Sequence, residues 1–275
     1  MKVAIQGELG SNSHMAAVEM LAKRTDLEIV ACTVSAQVLA KVVGGEVDGA
    51  VLPIENSLHG SVAEHYDLLL ELPIRICGES LLRIRHNVIA MPGVKLAEVR
   101  RVMSHPVALS QCRRFLAAHP EFEVVPFYDT AGSVKHLMAA GSRDAAGIAP
   151  ELAAKVYGAE VLVAGVEDHA ENYTRFHLLR RESADAAGKI DDADKMSVAF
   201  AIEHRPGTLV EALQRLADAG VNLTKIESRP VPGSPWEYVF YVDVRFDTAE
   251  RAEAALGALR EHCRMVKVLG WYRAA

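Results

Sequence analysis

The chain has 275 residues, half of them hydrophobic, with a formal net charge of -6 and a pI near 6.0. That length suits about two or three domains with a sizeable core, the apolar content excludes a disordered chain, and the acidic balance offers no basic field for nucleic acid or an anionic membrane. Met1 leads directly into the strand-like VAIQG and no apolar run approaches the ~20 residues that cross a bilayer, so a cytoplasmic location is expected.

Short apolar runs alternate with stretches of helical periodicity along the first two thirds of the chain. Strands are predicted at Val3–Ile5, Ile29–Thr33, Gly49–Leu52, Ile74–Ile76, Leu81–Ala90, Val102–Met103, Glu123–Pro126, Ala145–Ile148, Val161–Val163 and Thr174–Leu179. Helices are predicted at Asn12–Arg24, Ala36–Val43, Val62–Leu70, Pro106–Ala118, Gly132–Ala140 and Glu151–Val156. The alternation implies an α/β fold with mostly parallel sheets. After Leu179 the composition shifts to RRESADAAGKIDDADK, a polar linker. Beyond it the order is strand (Met196–Ile202), helix (Gly207–Ala219), strand (Leu223–Pro230), strand (Trp236–Arg245), helix (Thr248–His262) and strand (Val266–Trp271). That βαββαβ order is ferredoxin-like.

Polar clusters interrupt the apolar runs at GELGSNSH (Gly7–His14), PIENSLHG (Pro53–Gly60), SHPVALSQC (Ser104–Cys112) and NYTRF (Asn172–Phe176). The first three each follow a strand-like run and precede a helix. Ligands collect at the carboxyl ends of strands in open α/β sheets, where helix N-termini also point. The four clusters are therefore expected to converge on one cleft. Cys32, Cys77, Cys112 and Cys263 are scattered without CxxC spacing, and the histidines show no metal-ligand pattern, so reduced thiols and no metal site are expected.

Several residues read two ways on their own chemistry. Ser104 before His105-Pro106 fits a helix cap as well as a ligand contact. Arg175 has the planar fork that grips a carboxylate, but adjacent strand residues face opposite ways, and a salt bridge to Glu55 or Asp168 is the rival use. Glu55 would repel an anion unless turned away, paired or protonated.

In this order the pieces resemble the prephenate dehydratases, in the monofunctional form with a C-terminal ACT domain. The likeness runs through GELGSNSH, PIENS, SHP with Gln111 and Cys112, AAGIAPELAAKVYG, NYTRF, GTLVEAL and NLTKIESRP, nearly the whole chain. It implies a two-lobed catalytic domain similar to type II periplasmic binding proteins, with lobe one at about 1–77 plus 161–182 and lobe two at about 78–160. A linker at 183–194 and an ACT domain at 195–275 would follow. The implied reaction converts prephenate to phenylpyruvate with loss of carbon dioxide and water, with no cofactor, since aromatisation drives it. Arogenate dehydratase and a catalytically silent ligand-binding sensor are the alternatives.

By the same resemblance Thr174 acts at the leaving hydroxyl. Ser11, Ser13, Asn56, Ser57, Ser104, Gln111, Arg175 and Phe176 contact substrate, and Glu55, His105 and Thr130 support them. Gly207, Thr208, Leu209, Asn222, Glu227, Ser228 and Arg229 would hold L-phenylalanine as effector, in a homodimer or homotetramer. The chain departs from the family at Glu8, where a proline is usual, at Asn12, where an aromatic is usual, and at Thr208, where alanine is usual.

Overall fold

The computed structural model describes residues 1–182, 192–231 and 237–275. Most of the expected linker, and Trp236 at the start of an expected strand, lie outside the described residues. In chain order the first domain comprises β1 (Lys2–Gln6), α1 (Asn12–Met20), β2 (Glu28–Cys32), α2 (Ser35–Val43), β3 (Gly49–Asn56), β4 (Gly60–Ser61), α3 (Ala63–Glu71), β5 (Ile74–Arg83) and β6 (Asn87–Ala90). It continues with β7 (Arg101–Ser104), α4 (Pro106–Ser110), α5 (Arg113–Ala117), β8 (Glu123–Pro126), α6 (Thr130–Ala140), β9 (Ala145–Ala149), α7 (Glu151–Tyr157), β10 (Glu160–Val163) and β11 (Tyr173–Arg181).

Two sheets make two lobes: β5-β11-β3-β1-β2 in one and β10-β6-β9-β7-β8 in the other. The predicted strand Leu81–Ala90 is in fact the crossing between them. Its first residues finish β5, Asn87 opens β6, and the break falls at the polar Arg85-His86. The return crossing also comes later than expected, because β10 pairs with β6 in the second lobe and the chain rejoins the first lobe only at β11. The sheets are mixed rather than mostly parallel: β11 runs antiparallel to both β3 and β5, and β6 antiparallel to β9.

The predicted helix Pro106–Ala118 is split at Gln111-Cys112. Asp168, from the acidic pair before NYTRF, accepts hydrogen bonds from the Arg113 and Arg114 amides at 3.0 and 2.9 Å and so caps α5 from outside. Its neighbour Glu167 accepts from the His86 amide at 2.9 Å. The acidic pair thus ties the return crossing to the first crossing and to α5. Helix α1 ends at Met20, short of the predicted Arg24.

The second domain has β12 (Lys195–Ala201), α8 (Thr208–Asp218), β13 (Asn222–Pro230), β14 (Tyr238–Arg245), α9 (Ala249–His262) and β15 (Met265–Tyr272). Its strands lie in the order β13-β14-β12-β15, all antiparallel. Helices α8 and α9 cover one face through Ala212, Leu216, Ala255 and Leu259. The other face packs on the first lobe: Leu69, Ile74 and Leu179 share an apolar cluster with Ala199, Val239, Tyr241, Leu269 and Tyr272, and Tyr66 meets Tyr241 edge to face at 5.1 Å. The two sheets are joined where β15 pairs with β5, parallel, at Gly270 and Ile76. Among the described residues, no helix is long and apolar enough to cross a membrane.

Candidate active site

The carboxyl ends of β1, β2 and β3 face the first turn of α6 across a cavity of about 550 Å³. Its walls include Ser11, Asn12 and Ser13 from the first lobe and His105, Asp129 and Thr130 from the second, with Thr174 and Phe176 at its floor. A smaller cavity of about 220 Å³ adjoins it and is lined by Glu55, Asn56, His86 and Gln111. Asn12, Pro53, His105, Thr130 and Thr174 belong to both. Thr174 thus sits where the two chambers meet.

The period-two alternation of a strand explains why Thr174 and Phe176 face the cleft together. Thr174 is opposite Asn56 in the β11–β3 ladder, and the Asn56 amide donates to its Oγ1 at 3.0 Å. The same amide donates to Asn172 Oδ1 at 2.8 Å and the Tyr173 carbonyl at 3.0 Å, while Asn56 Oδ1 accepts from the Leu58 and His59 amides. Asn56 is therefore held at both ends. Because the Asn56 N–H occupies a lone pair of Oγ1, the Thr174 O–H remains free to donate into the cleft. A donor on that oxygen also stabilises negative charge there, which makes the hydroxyl a stronger hydrogen-bond donor than an isolated threonine.

The described residues that line the larger cavity include one lysine or arginine, Lys135, and its ammonium is paired with Glu8 at 2.8 Å. The Tyr128 hydroxyl donates to the other Glu8 oxygen at 2.8 Å. Lys135 and Tyr128 hold the Glu8 carboxyl below the usual range against the opposing effect of burial. Glu8 belongs to the first lobe and its partners to the second, so the residue that replaces the family's proline clasps the two lobes across the cavity. Close approach is completed by glycines at positive φ: an added Cβ at Gly7 would lie 2.6 Å from Asp129 Oδ2, and one at Gly10 2.7 Å from Ala153 Cα. The starts of α1, capped by Ser11, and of α6, capped by Asp129, both border the cavity. Burial raises the Asp129 carboxyl above its ordinary value.

Several expected contacts lie elsewhere. Ser104 is fully buried and its hydroxyl donates to the Ile148 carbonyl, so it ties β7 to β9 and does not reach either cavity. Ser57 is exposed and exchanges bonds with Glu171 and Tyr173, fixing the return crossing. Gln111 reaches the smaller cavity, where its amide contacts His59 at 3.1 Å and its oxygen His86 at 2.8 Å. His105 and Thr130 line both cavities and Glu55 the smaller one. Tyr128 and Lys135 carried no local signal in the sequence, whereas Glu8 stood out where a proline is usual and the Asp129 cap is readable as an Asp three residues before Gly132 at a helix start.

Arg175 does not face the cleft, which corrects its expected contact with substrate. Strand alternation turns it to the opposite side of β11, where it is 8% exposed and pairs with Glu55, Glu79 and Asp243. His177 shares that face, and among the described residues neither of its ring nitrogens has a hydrogen-bond partner. Burial, reinforced by the Arg175 charge, holds its pKa well below the ordinary imidazole value. The unfolded chain therefore binds a proton that the folded chain refuses, and stability falls as pH drops below about 6.5. His14, His65 and His86 are shifted the same way. Urea unfolding at pH 7.0 and 5.5 should show a loss for the native chain that exceeds the loss for His177→Leu by roughly 1 kcal/mol.

In the C-terminal domain, Gly207, Thr208 and Leu209 line a cavity of about 260 Å³ with Glu203, Tyr238 and Phe240. The Thr208 hydroxyl turns back onto the Glu203 and Arg205 carbonyls at 2.8 and 2.9 Å, and so braces the loop before α8. Asn222, Glu227, Ser228 and Arg229 are not among the residues that line this cavity. Glu227 instead accepts from Ser61 at 2.6 Å, and Arg229 pairs with Asp67 at 2.8 Å. In the single chain these β13 residues dock the domain onto the first lobe.

Comparison with known proteins agrees with this arrangement. The prephenate dehydratase family model matches residues 3–184 and the ACT domain model residues 197–262. Arogenate dehydratase 2 of Petunia hybrida is 40% identical over 288 residues, covering 99% of this chain and 71% of the plant protein. The structure of prephenate dehydratase from Arthrobacter aurescens in complex with L-Phe is 32% identical, with a TM-score of 0.87, covering 99% of this chain and 90% of that one. GqqA, described as a novel type of quorum quenching acylase, is also 32% identical, with a TM-score of 0.89, covering 100% of this chain and 98% of that one. Two lobes around Thr174 and Asn56, and an α8 cavity in a βαββαβ domain, accompany matches along almost the whole chain: it belongs to the prephenate dehydratase family, as a dehydratase with a C-terminal ACT domain.

Proposed function

We propose that the chain converts prephenate to phenylpyruvate, with Thr174 at the leaving hydroxyl. The observation that carries this reading is the Asn56 amide on Thr174 Oγ1, which leaves the hydroxyl proton free at the junction of the two cavities. In the reaction the bond from the ring to its carboxylate breaks, carbon dioxide leaves, and that electron pair completes the aromatic ring as the C4–O bond breaks. The departing hydroxide takes a proton and leaves as water. Thr174 polarises that oxygen, with Asn56 sharing the charge. Ser11, Ser13 and the amides at the start of α1 are placed to hold a carboxylate.

Arogenate is the second reading. It differs by an ammonium where prephenate has a keto oxygen, and the Asp129 carboxyl on the cleft wall favours a cation, Glu8 being already paired with Lys135. The test is conversion of each substrate by the purified protein at neutral pH. Phenylpyruvate from prephenate supports the first reading, preference for arogenate moves the substrate to the second, and no turnover of either by folded protein refutes both.

For the ACT domain we propose L-phenylalanine as effector, held in the α8 cavity. The support is its lining by Gly207, Thr208 and Leu209 and the bound amino acid of the Arthrobacter relative. A homodimer or homotetramer formed along β13, which ends the sheet and exposes alternate residues, would bring Asn222 and Ser228 to such an interface. Four free cysteines suit a reducing compartment, and we place the enzyme in the cytoplasm.

A further inference from the structure

Behind the strand that carries Thr174, acids and bases are packed together: Glu55, Glu79 and Asp243 against Arg175, Lys195 and Lys225, with Glu227 3.7 Å from Lys225 at the edge. Arg175 Nη2 lies 3.1 Å from Glu55, and its Nη1 contacts Asp243 and lies 3.5 Å from Glu79. Lys195 lies 2.8 Å from Glu79 and 3.8 Å from Asp243, and Lys225 lies 2.8 Å from Glu55. The Ser197 hydroxyl donates to the second Asp243 oxygen and also meets the Tyr272 hydroxyl. Arg175, Glu79, Lys195 and Asp243 have side chains no more than 9% exposed. Although burial alone would raise the Asp243 carboxyl, Arg175 and Lys195 hold it below its ordinary value.

The cluster is divided between the domains. Arg175, Glu55 and Glu79 come from the catalytic lobe, and Lys195, Lys225 and Asp243 from the ACT sheet. The pairs Arg175–Asp243, Lys195–Glu79 and Lys225–Glu55 all cross the domain boundary, so the cluster is complete only when the two domains are docked. Its position is equally specific. Arg175 follows Thr174 and Glu55 precedes Asn56, so the two residues that the cluster pins are the immediate neighbours of the pair that forms the catalytic hydrogen bond. The β11–β3 register also shifts directly after Arg175, where Phe176 pairs with Pro53 and Ile54 is left over. Such a bulge re-aims side chains and depends on its surroundings to hold its shape.

We infer that Arg175 is a positioning residue for the dehydratase reaction and that Asp243 of the ACT domain is the partner through which it sets the Thr174–Asn56 geometry. The ACT domain thereby supplies part of the support of the active site. This inference rests on the dehydratase reading of the cleft. A misplacement of about 1 Å in a catalytic group can cost on the order of a hundredfold in rate, so loss of this support acts on kcat more than on KM.

The decisive variant is the double substitution Arg175→Met with Asp243→Leu, because a buried ion pair exchanged for apolar side chains commonly preserves folding whereas removal of one partner does not. With prephenate and arogenate as probes, the folded double variant is expected to turn over at least about tenfold more slowly than the native protein at similar KM. A folded double variant with native kcat would overturn the inference. Ser197→Ala, which leaves every charge in place but frees one Asp243 oxygen, supplies a second measurement if the double variant fails to fold. A fall of about threefold or more in kcat supports the positioning role, and an unchanged kcat refutes it. If the native protein turns over neither substrate, the dehydratase reading itself has failed, which is distinguishable from native turnover that the variants do not alter.

Discussion

Thr174→Ala is expected to lower kcat about 10²–10³-fold while KM stays within about threefold of the native value. The substitution removes one hydroxyl from the junction of the two cavities and leaves the other cavity walls intact. It also deprives the Asn56 amide of one acceptor, but that amide keeps Asn172 Oδ1 and the Tyr173 carbonyl, so the local fold persists. Thr174→Ser restores the hydroxyl without the methyl that fixes its rotamer, and is expected to recover part of the rate. Steady-state kinetics with a binding measurement on the alanine variant decide the matter. Undiminished kcat would remove Thr174 from the chemistry, and a large rise in KM at constant kcat would make it a binding group instead.

How far the site could be read from sequence follows from the range of each interaction. The opposite facing of Thr174 and Arg175 is a property of one strand, and its period raised the salt bridge as a rival to the substrate contact expected of Arg175. The paired use of Glu55 was also foreseeable from its charge. The identity of the other partners was not, because Glu79 and Asp243 come from strands brought beside Arg175 only by the folded topology. Ser104 illustrates the same limit: a hydroxyl before a helix reads as a cap or a ligand, and only the neighbouring strand reveals that it serves the Ile148 carbonyl. The Glu8 clasp joins residues more than a hundred positions apart, with no spacing pattern to announce it. In the fold, most elements were legible, while the two lobe crossings were misplaced: the break at Arg85-His86 was read through as one strand, and β10, which pairs in the second lobe, was read as the return to the first.

Gly270→Val is expected to cost about 3 kcal/mol of stability. Gly270 is the point at which the ACT sheet joins the catalytic sheet, and an added Cβ there would lie 2.3 Å from the Ile76 carbonyl oxygen and 2.8 Å from Ile76 Cβ. The first of these is backbone, held by its own sheet, so it cannot swing aside as a flexible side chain would. Overpacking of a well-packed core costs about 1–3 kcal/mol and occasionally more, and a β-branched residue against a fixed carbonyl belongs at the upper end. For a chain of this size that is a fall in Tm of roughly 6–12 °C. The strain is relieved only by lifting β15 from β5, which would also separate Leu269 and Tyr272 from the shared apolar cluster and the two halves of the Arg175–Asp243 charge cluster from each other. Calorimetry should therefore show a lowered transition accompanied by a fall in kcat, since the same movement releases the strand that carries Thr174. A variant with native Tm would show that the two sheets do not depend on this contact. A variant with lowered Tm but native kcat would show that the catalytic lobe holds Thr174 in place without the ACT sheet.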